Sequence, residues 1–567
     1  MTRLHARFFA TLSRRTLAGL CLGVLLTLQV PVARADDATT ATVQTHIRAA
    51  EIALQQHEYR EATVAYLQAA ALSGEPATAR RATRVAFTYG FNQEALEAAE
   101  RWEELDPDSE EALLYVAQLQ LRMGDLRKSQ KSFRKLIRQS GSDGDERLLD
   151  LIPVLSREDA QDGHKIMRYL AKGFDESATA NYAVGVMALQ AGDDKAAAAR
   201  ATKAMELEKD WIKPKLLYAR SLLLGGDSEA AIEYAARIVG DDPDPDPAAR
   251  QELAILYMSA DRDDDALSQV NQILLEQPSR HDALRLMAII NFRQENLDAA
   301  RADFRDLLAS GSYTMDALYY LARIADYRGE TDRALALYMQ VNKGPHAVVS
   351  QRRASGIIAH ESSVERAVDH LQTFAEQYPH LAVDMTLAQA QLLASEEQLD
   401  EALEIYDRVL SYRPDDERVV LGRGEVMLRL GREDEAIEIY RQAVRRWPDS
   451  AQTLNALGYT LTNHGTNYKE AARLIEKALK LEPDNAAIID SYGWVLYRQG
   501  EHEKALVELQ RAWRSIKDVE VAAHIIEVLG KLERCDEARE MLEAAELHDS
   551  KHPLLPRARE LSQSCGQ

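Results

Sequence analysis

The sequence predicts an all-α solenoid, a right-handed superhelix of about fifteen helix pairs. Three observations predict it. Small residues recur twelve positions apart within a period of about 34 residues. Alanine is plentiful, while aromatic residues make up only 6% of the chain. No strand-like alternation of apolar and polar residues persists over any long stretch. The spacing has a physical meaning: the two helices of a pair cross closely, and a bulky side chain at the crossing would push them apart. A single pair cannot bury its apolar face alone, so each pair stacks on its neighbours. The 567 residues therefore read as one array rather than as the three or four globular domains their length would allow.

The first element is an export signal over residues 1–35. Arg3, Arg7, Arg14 and Arg15 precede the apolar run from Leu17 to Val30, and no acidic residue occurs before Asp36. The run's fourteen residues are short for a membrane span. Ala33-Arg34-Ala35 offers small residues for cleavage, so the mature chain is expected to begin at Asp36 in the periplasm. The alternative is an uncleaved N-terminal anchor. A lipid anchor at Cys21 is not expected, because Leu20 stands where such sites want a small residue. The acidic, Thr-rich lead from Asp36 to Ala49 reads as a docking segment whose deletion, with the residues to 60, weakens partner binding without unfolding the array.

The solenoid itself is assigned to 36–545. Its clearest copy runs from Pro483 to Trp513, with Gly493 twelve residues before Ala505 and with Leu509 and Ala512 completing the second helix. Units starting at Pro247, His281 and Met315 supply Ala254/Ala266, Ala288/Ala300 and Ala322/Ala334. Further pairs are Ala390/Ala402 and Gly424/Ala436, each followed by a proline (Pro414, Pro448), and Gly185/Ala197, Ala219/Ala231 and Ile526/Ala538. Near the N-terminus Ala50/Ala62 is followed by a Gly90/Ala95 variant and by Ala117 with Phe133. The best-defined repeats cover 247–348 and 383–545. The stretches 144–175 and 348–379 fit less well, although Ala367 and Pro379 keep the phase. The proline run from Asp241 to Pro247 reads as an extended junction. This register resembles the tetratricopeptide repeat, whose helix–turn–helix units keep small residues at positions 8 and 20 and often a proline at 32. Residues 546–567 form a C-terminal tail. Cys535 and Cys565 are a candidate disulfide closing that tail, the alternative being two free thiols.

Charge excludes some functions. Losing the five arginines of 1–35 leaves 64 basic against 91 acidic residues, a formal −27 from the full chain's −22. Such a field repels nucleic acid unless a basic patch intervenes, and the run from Arg441 to Arg446 reads as a short solvated face. Neither a nucleic-acid partner nor a small-molecule substrate is expected. No nucleophile elbow, phosphate loop or His-Glu-x-x-His is present. His548 and His552 have metal-ligand spacing but sit in a solvated terminal segment, so no metal, cofactor or catalytic residue is assigned and the chain reads as non-enzymatic.

What remains is a protein-binding groove. In this repeat the first helices line the concave side, with positions 5, 9, 12 and 13 pointing inward. These are Asn455, Tyr459, Thr462 and Asn463 in one unit and Asp490, Trp494, Tyr497 and Arg498 in the next. Rings bury apolar area at low entropic cost while the polar groups pair with an extended backbone. The alternative is that Trp494 and Tyr459 pack between repeats. The segments Leu454–Leu461, Tyr468–Ala471, Ile489–Trp494, Tyr497–Gly500 and Val521–His524 resemble a bacterial envelope family that includes the lipoprotein partners of periplasmic carboxyl-terminal processing proteases. The resemblance spans about 450–545. It implies an adaptor that binds and organises such a serine protease and its protein substrates, including peptidoglycan hydrolases. The alternative is a structural scaffold in an envelope assembly, such as polysaccharide export or outer-membrane biogenesis.

Overall fold

The computed structural model describes residues 33–565 apart from 57, 140–143, 241, 243, 466, 549–551 and 553. The expected signal peptide therefore lies almost wholly outside the described residues, as do parts of the 241–247 junction and of the tail. The chain forms two compact units, one reaching residue 136 apart from 88–90, the other taking 88–90 and everything from 137 onward. Both are all-α, with thirty-one α-helices between them and no strand among the described residues, arranged as successive helix pairs.

The crossing residues recur along the array, with small shifts of phase. The structure adds four pairs to those legible in the sequence: Thr83/Ala95, Ala117/Ser129, Leu151/Gly163 and Ser355/Ala367, each twelve residues apart and buried. Polar side chains are tolerated at these crossings because each finds a carbonyl. The Thr83 hydroxyl donates to Ala79 and that of Ser129 to Ala117, at 2.9 and 2.8 Å. Gly90, read as a crossing residue, instead sits in a turn at φ +75°. The stretch 144–175 holds the helices Arg147–Leu155 and Ala160–Leu170 with the sizes exchanged: Leu151 is large, and Gly163 is the residue whose added Cβ would lie 2.8 Å from Met187 Cε and 3.2 Å from the Leu155 carbonyl.

The phase shift near 348 has a different cause. The helix Thr331–Tyr338 is only eight residues long and leaves carbonyls at its end. The fully buried Gln351 donates its amide to the Tyr338 and Val341 carbonyls, both at 2.9 Å, and closes the gap. At the N-terminus, Val43, Ala50 and Ala53 of the helix Ala33–Gln55 are buried. The lead segment is thus partly the first element of the first pair, and deleting 36–60 exposes Ala62 and Tyr66.

Charge is less even than its total implies. The helix Leu126–Gln139 is a basic stretch, with Arg127, Lys128, Lys131, Arg134, Lys135 and Arg138 and no acidic residue, although Lys128 pairs with Asp125 and Lys135 with Glu103. Interleaved serines and apolar residues hide it from a search for contiguous charge. Ion pairs about one repeat apart connect successive pairs, and most are exposed and contribute little. Arg220 with Glu252 differs: the carboxylate is buried and takes both arms of the guanidinium, at 2.6 and 2.5 Å. At the other end Cys535 is bonded to Cys565. The tail contains a helix, Leu555–Ser564, whose Leu555 and Ala558 are buried.

Candidate functional site

Three first helices carry the candidate groove: Ala451–His464, Ala486–Arg498 and Val519–Lys531. Each start is fixed by a side-chain cap. Ser450 accepts from Thr453 N, Asn485 from Ala487 N and Ile488 N, and Asp518 from Glu520 N. Fixed starts set the rotation of each helix, and the rotation brings the predicted residues to one surface.

Most of them turn out to be engaged with one another or with the next repeat. Trp494 donates Nε1–H to Asn463 Oδ1 at 2.8 Å and stacks on His524, with ring centroids 4.1 Å apart. Asp490 accepts from His524 Nδ1 at 3.0 and 3.1 Å, and both residues are buried. The Tyr497 hydroxyl donates to Glu527 at 3.2 Å, its ring lies 5.0 Å from that of Trp494, and Arg498 donates to the Tyr468 hydroxyl at 2.8 Å. Thr462 is buried and returns its hydroxyl to the Gly458 carbonyl. Trp494, Tyr497, Arg498 and Asn463 therefore join successive repeats.

Asn455, Tyr459 and Asp490 line a cleft of about 260 Å³ together with Ile516, Asp518 and Glu520. The Tyr459 hydroxyl crosses it to reach Glu520 at 2.6 Å, and Asn455 Oδ1 is buried with no hydrogen-bond partner among the described residues. The lining offers three carboxylates and no lysine or arginine, so it presents acceptors to a donor-bearing group. Burial, then the Glu520 charge and hydrogen bond, raise the Tyr459 phenol well above its ordinary range. Burial and Glu527 push Tyr497 up to about 12, so both stay protonated donors. For His524 burial disfavours the imidazolium, but the Asp490 hydrogen bond and charge, helped by Glu520 and Glu527, outweigh it and raise the pKa.

His524, Glu520, Glu527 and Tyr468 were not among the predicted site residues. The repeat period was the available signal: Asp490 and His524 are 34 residues apart, and Tyr497 and Glu527 are 30 apart. Among the described residues no three His, Cys, Asp or Glu side chains converge as a metal site. His552 Nδ1 accepts from Leu554 N instead. No described helix is long and apolar enough to cross a membrane.

Comparison with known proteins gives the same picture of the repeats. Tetratricopeptide-repeat models match 111–141, 222–290, 285–345 and 387–451, and a model described as anaphase-promoting complex, cyclosome, subunit 3 matches 464–545. The TPR repeat-containing protein PA4667 of Pseudomonas aeruginosa is 30% identical over 212 residues, 37% of this chain and 36% of that protein. The chain thus matches about a third of that relative's length. Among solved structures, the Cut9–Hcn1 hetero-tetramer of APC/C is similar over 94% of this chain and 98% of that one, at 15% identity and a TM-score of 0.34. Naa15/Naa10 bound to HypK-THB is similar over 93% and 96%, at 13% identity and a TM-score of 0.35. Since small residues hold the crossings of successive helix pairs and repeat models match four segments between 111 and 451, the chain is a tetratricopeptide-repeat protein.

Proposed function

We propose that this protein is an exported, non-enzymatic adaptor that binds a periplasmic carboxyl-terminal processing protease and brings protein substrates to it. Tetratricopeptide repeats present surfaces to protein partners, and an extended array can hold two at once, raising their effective concentration. One observation carries the assignment of the partner. The residues behind the family resemblance, Tyr459, Asp490, Trp494, Tyr497 and His524, form one interlocked cluster across three repeats. Stacking alone requires small residues at crossings and aliphatic side chains between helices. A buried carboxylate–imidazole pair with an aromatic stack costs desolvation that packing does not require, which supports a shared functional surface.

The test is affinity purification of tagged residues 36–567 from the native periplasm, with mass spectrometry of the proteins retained. The expected result is a stoichiometric serine protease of the carboxyl-terminal processing type. Recovery of export or outer-membrane assembly components without a protease replaces the adaptor by the scaffold reading.

A further inference from the structure

The positions that are consumed by inter-repeat bonds near the C-terminus are open in the central repeats. The first helices Pro247–Ser259, His281–Arg293 and Thr314–Tyr327 border a cleft of about 560 Å³. Its apolar lining includes Met258, Ile289, Phe292, Tyr320 and Tyr327. In the register starting at Pro247, His281 and Met315, four of these are positions 12, 9, 12 and 13, and Arg323 is position 9. Tyr320 is anchored from below, stacked on the buried Phe304 at 4.7 Å and edge-on to Phe292 at 5.2 Å. Tyr327 is 71% exposed.

Arg323 is the unusual member. Its guanidinium lies over the Phe292 ring, 4.6 Å from the centroid, and 5.8 Å from that of Tyr319. No carboxylate among the described residues forms an ion pair with it, in a chain of net charge −22. Apart from Glu295, which lines the same cleft, the acids nearby are already taken. Asp326, one turn on, accepts both arms of Arg353 at 2.6 and 2.7 Å. Asp316 holds Arg285, and Asp261 and Asp263 hold Arg293 at 2.8 and 3.1 Å. The Arg323 guanidinium therefore sits over an aromatic ring, exposed in the cleft lining, with its charge unpaired among the described residues. Glu295 on the rim carries the opposite sign and gives the cleft a polarity.

We propose that this cleft binds an extended internal segment of a partner protein in which an Asp or Glu side chain lies within two residues of a bulky aliphatic or aromatic one. The carboxylate takes the Arg323 fork, whose planar donors match it bidentately. The apolar side chain covers Phe292, Tyr320 and Tyr327. A passing segment fits better than a chain end. The lining runs over three successive first helices spaced by about 10 Å, hence about 20 Å in all or about six residues of extended chain, and one terminal residue would leave most of it uncovered. The inference rests on the protein-binding reading above and names the chemistry of the segment bound.

The test uses a phage library of random dodecapeptides fused through their C-termini, so that no free terminal carboxylate is displayed. It is panned against residues 36–567 as wild type, Arg323→Glu and Arg323→Gln. The wild-type pool is expected to enrich Asp and Glu beside Leu, Ile, Phe, Tyr or Trp. The Gln variant loses that enrichment and the Glu variant exchanges it for Lys and Arg. Arg323 is exposed and makes no ion pair among the described residues, so both variants keep the wild-type circular dichroism. The best peptide, synthesised with an amidated C-terminus, binds the Gln variant about fivefold more weakly. Equal acid enrichment in all three pools, or none with wild type, overturns the proposal. So does binding only by the free-acid form, which identifies a chain end. Loss of the acidic signature with protease capture intact overturns this cleft alone. An intact signature without protease capture sustains the cleft and overturns the partner.

Discussion

Replacing Gly424 by alanine measures the close helix crossing. A Cβ there would lie 2.6 Å from Tyr440 Cζ and 2.8 Å from its hydroxyl, with Cε1 nearer still. The ring has nowhere to go: Tyr440 is buried and its hydroxyl donates to the Leu421 carbonyl at 3.2 Å. Helix propensity favours alanine over glycine by about 1 kcal/mol. Overpacking costs about 1–3 kcal/mol, and displacing the ring also weakens a hydrogen bond contributing about 1 kcal/mol. The balance is a net loss of about 1–3 kcal/mol. Gly356 provides the opposite sign, because it lies inside the helix Ala347–Glu361 and an added Cβ meets nothing within 4 Å. Gly356→Ala keeps the propensity gain and stabilises by about 1 kcal/mol. A repeat array does not unfold as one two-state unit, so the assay is hydrogen exchange read by mass spectrometry on peptides covering 417–446 and 347–377. Gly424→Ala should speed exchange roughly 5- to 150-fold in the first set, and Gly356→Ala should slow it in the second. Shifts of the same sign at both sites would refute the argument that ring contact, not helix propensity, decides the outcome.

Three further outcomes follow from the C-terminal repeats. The His524 pKa is higher in the folded chain than in the unfolded one, so its contribution is fully present below about pH 6.5 and is lost as pH rises through the folded value. Asp490 and Trp494 face it from one helix, Glu520 and Glu527 from its own and Tyr459 from a third, and NMR titration of labelled histidine should place it above 6.5. A value below that would mean burial wins over Asp490. Asp490→Asn keeps the shape but removes the charge and should destabilise 486–531 by about 1–3 kcal/mol, read as faster exchange there; unchanged exchange would remove the pair from the account of stability. Cys565→Ser opens a loop closed by residues thirty apart, worth about 3–4 kcal/mol in the chain-entropy model, and should raise exchange in 555–564 above all. Equal protection with and without the bond would show that burial of Leu555 and Ala558 suffices.

The helix pairs were legible because close packing writes a rule into the sequence, and they became illegible where the rule is met by other means. Gly424, Gly458 and Gly493 announce their crossings, since a Cβ at each would collide with Tyr440, Ile475 or Leu509. Thr83, Ser129 and Ser355 do the same work but resemble surface residues until their hydroxyls are seen donating to backbone carbonyls. The Leu151 pair was hidden because its small residue stands on the second helix, where a Cβ at Gly163 would meet Met187 and Leu155. The groove was half legible. Register alone places Tyr459, Asp490 and Trp494 on one face, but whether a side chain on that face is free depends on what the next repeat presents. That is a relation between residues 30 to 34 apart, and reading each repeat singly discards it.

This relation also explains why similar positions do different work along the chain. At position 9, Trp494 finds Asn463 and His524 in the adjoining repeats and is drawn into the packing, 6% exposed. At position 9 of a central repeat, Arg323 finds the rings of Phe292 and Tyr319, which lie near its guanidinium without pairing its charge. An aromatic neighbour orients a guanidinium and leaves its hydrogen bonds unspent; a carboxylate neighbour would have used them. A solenoid needs both arrangements. Inter-repeat bonds make the C-terminal surface rigid enough to present a fixed shape, while unspent donors on an aromatic floor give the central surface something to offer. Exchanging the two should separate them. Asn463→Ala should loosen the junction without altering the peptides selected by the central cleft, and Arg323→Gln should alter those peptides without changing exchange at 486–531.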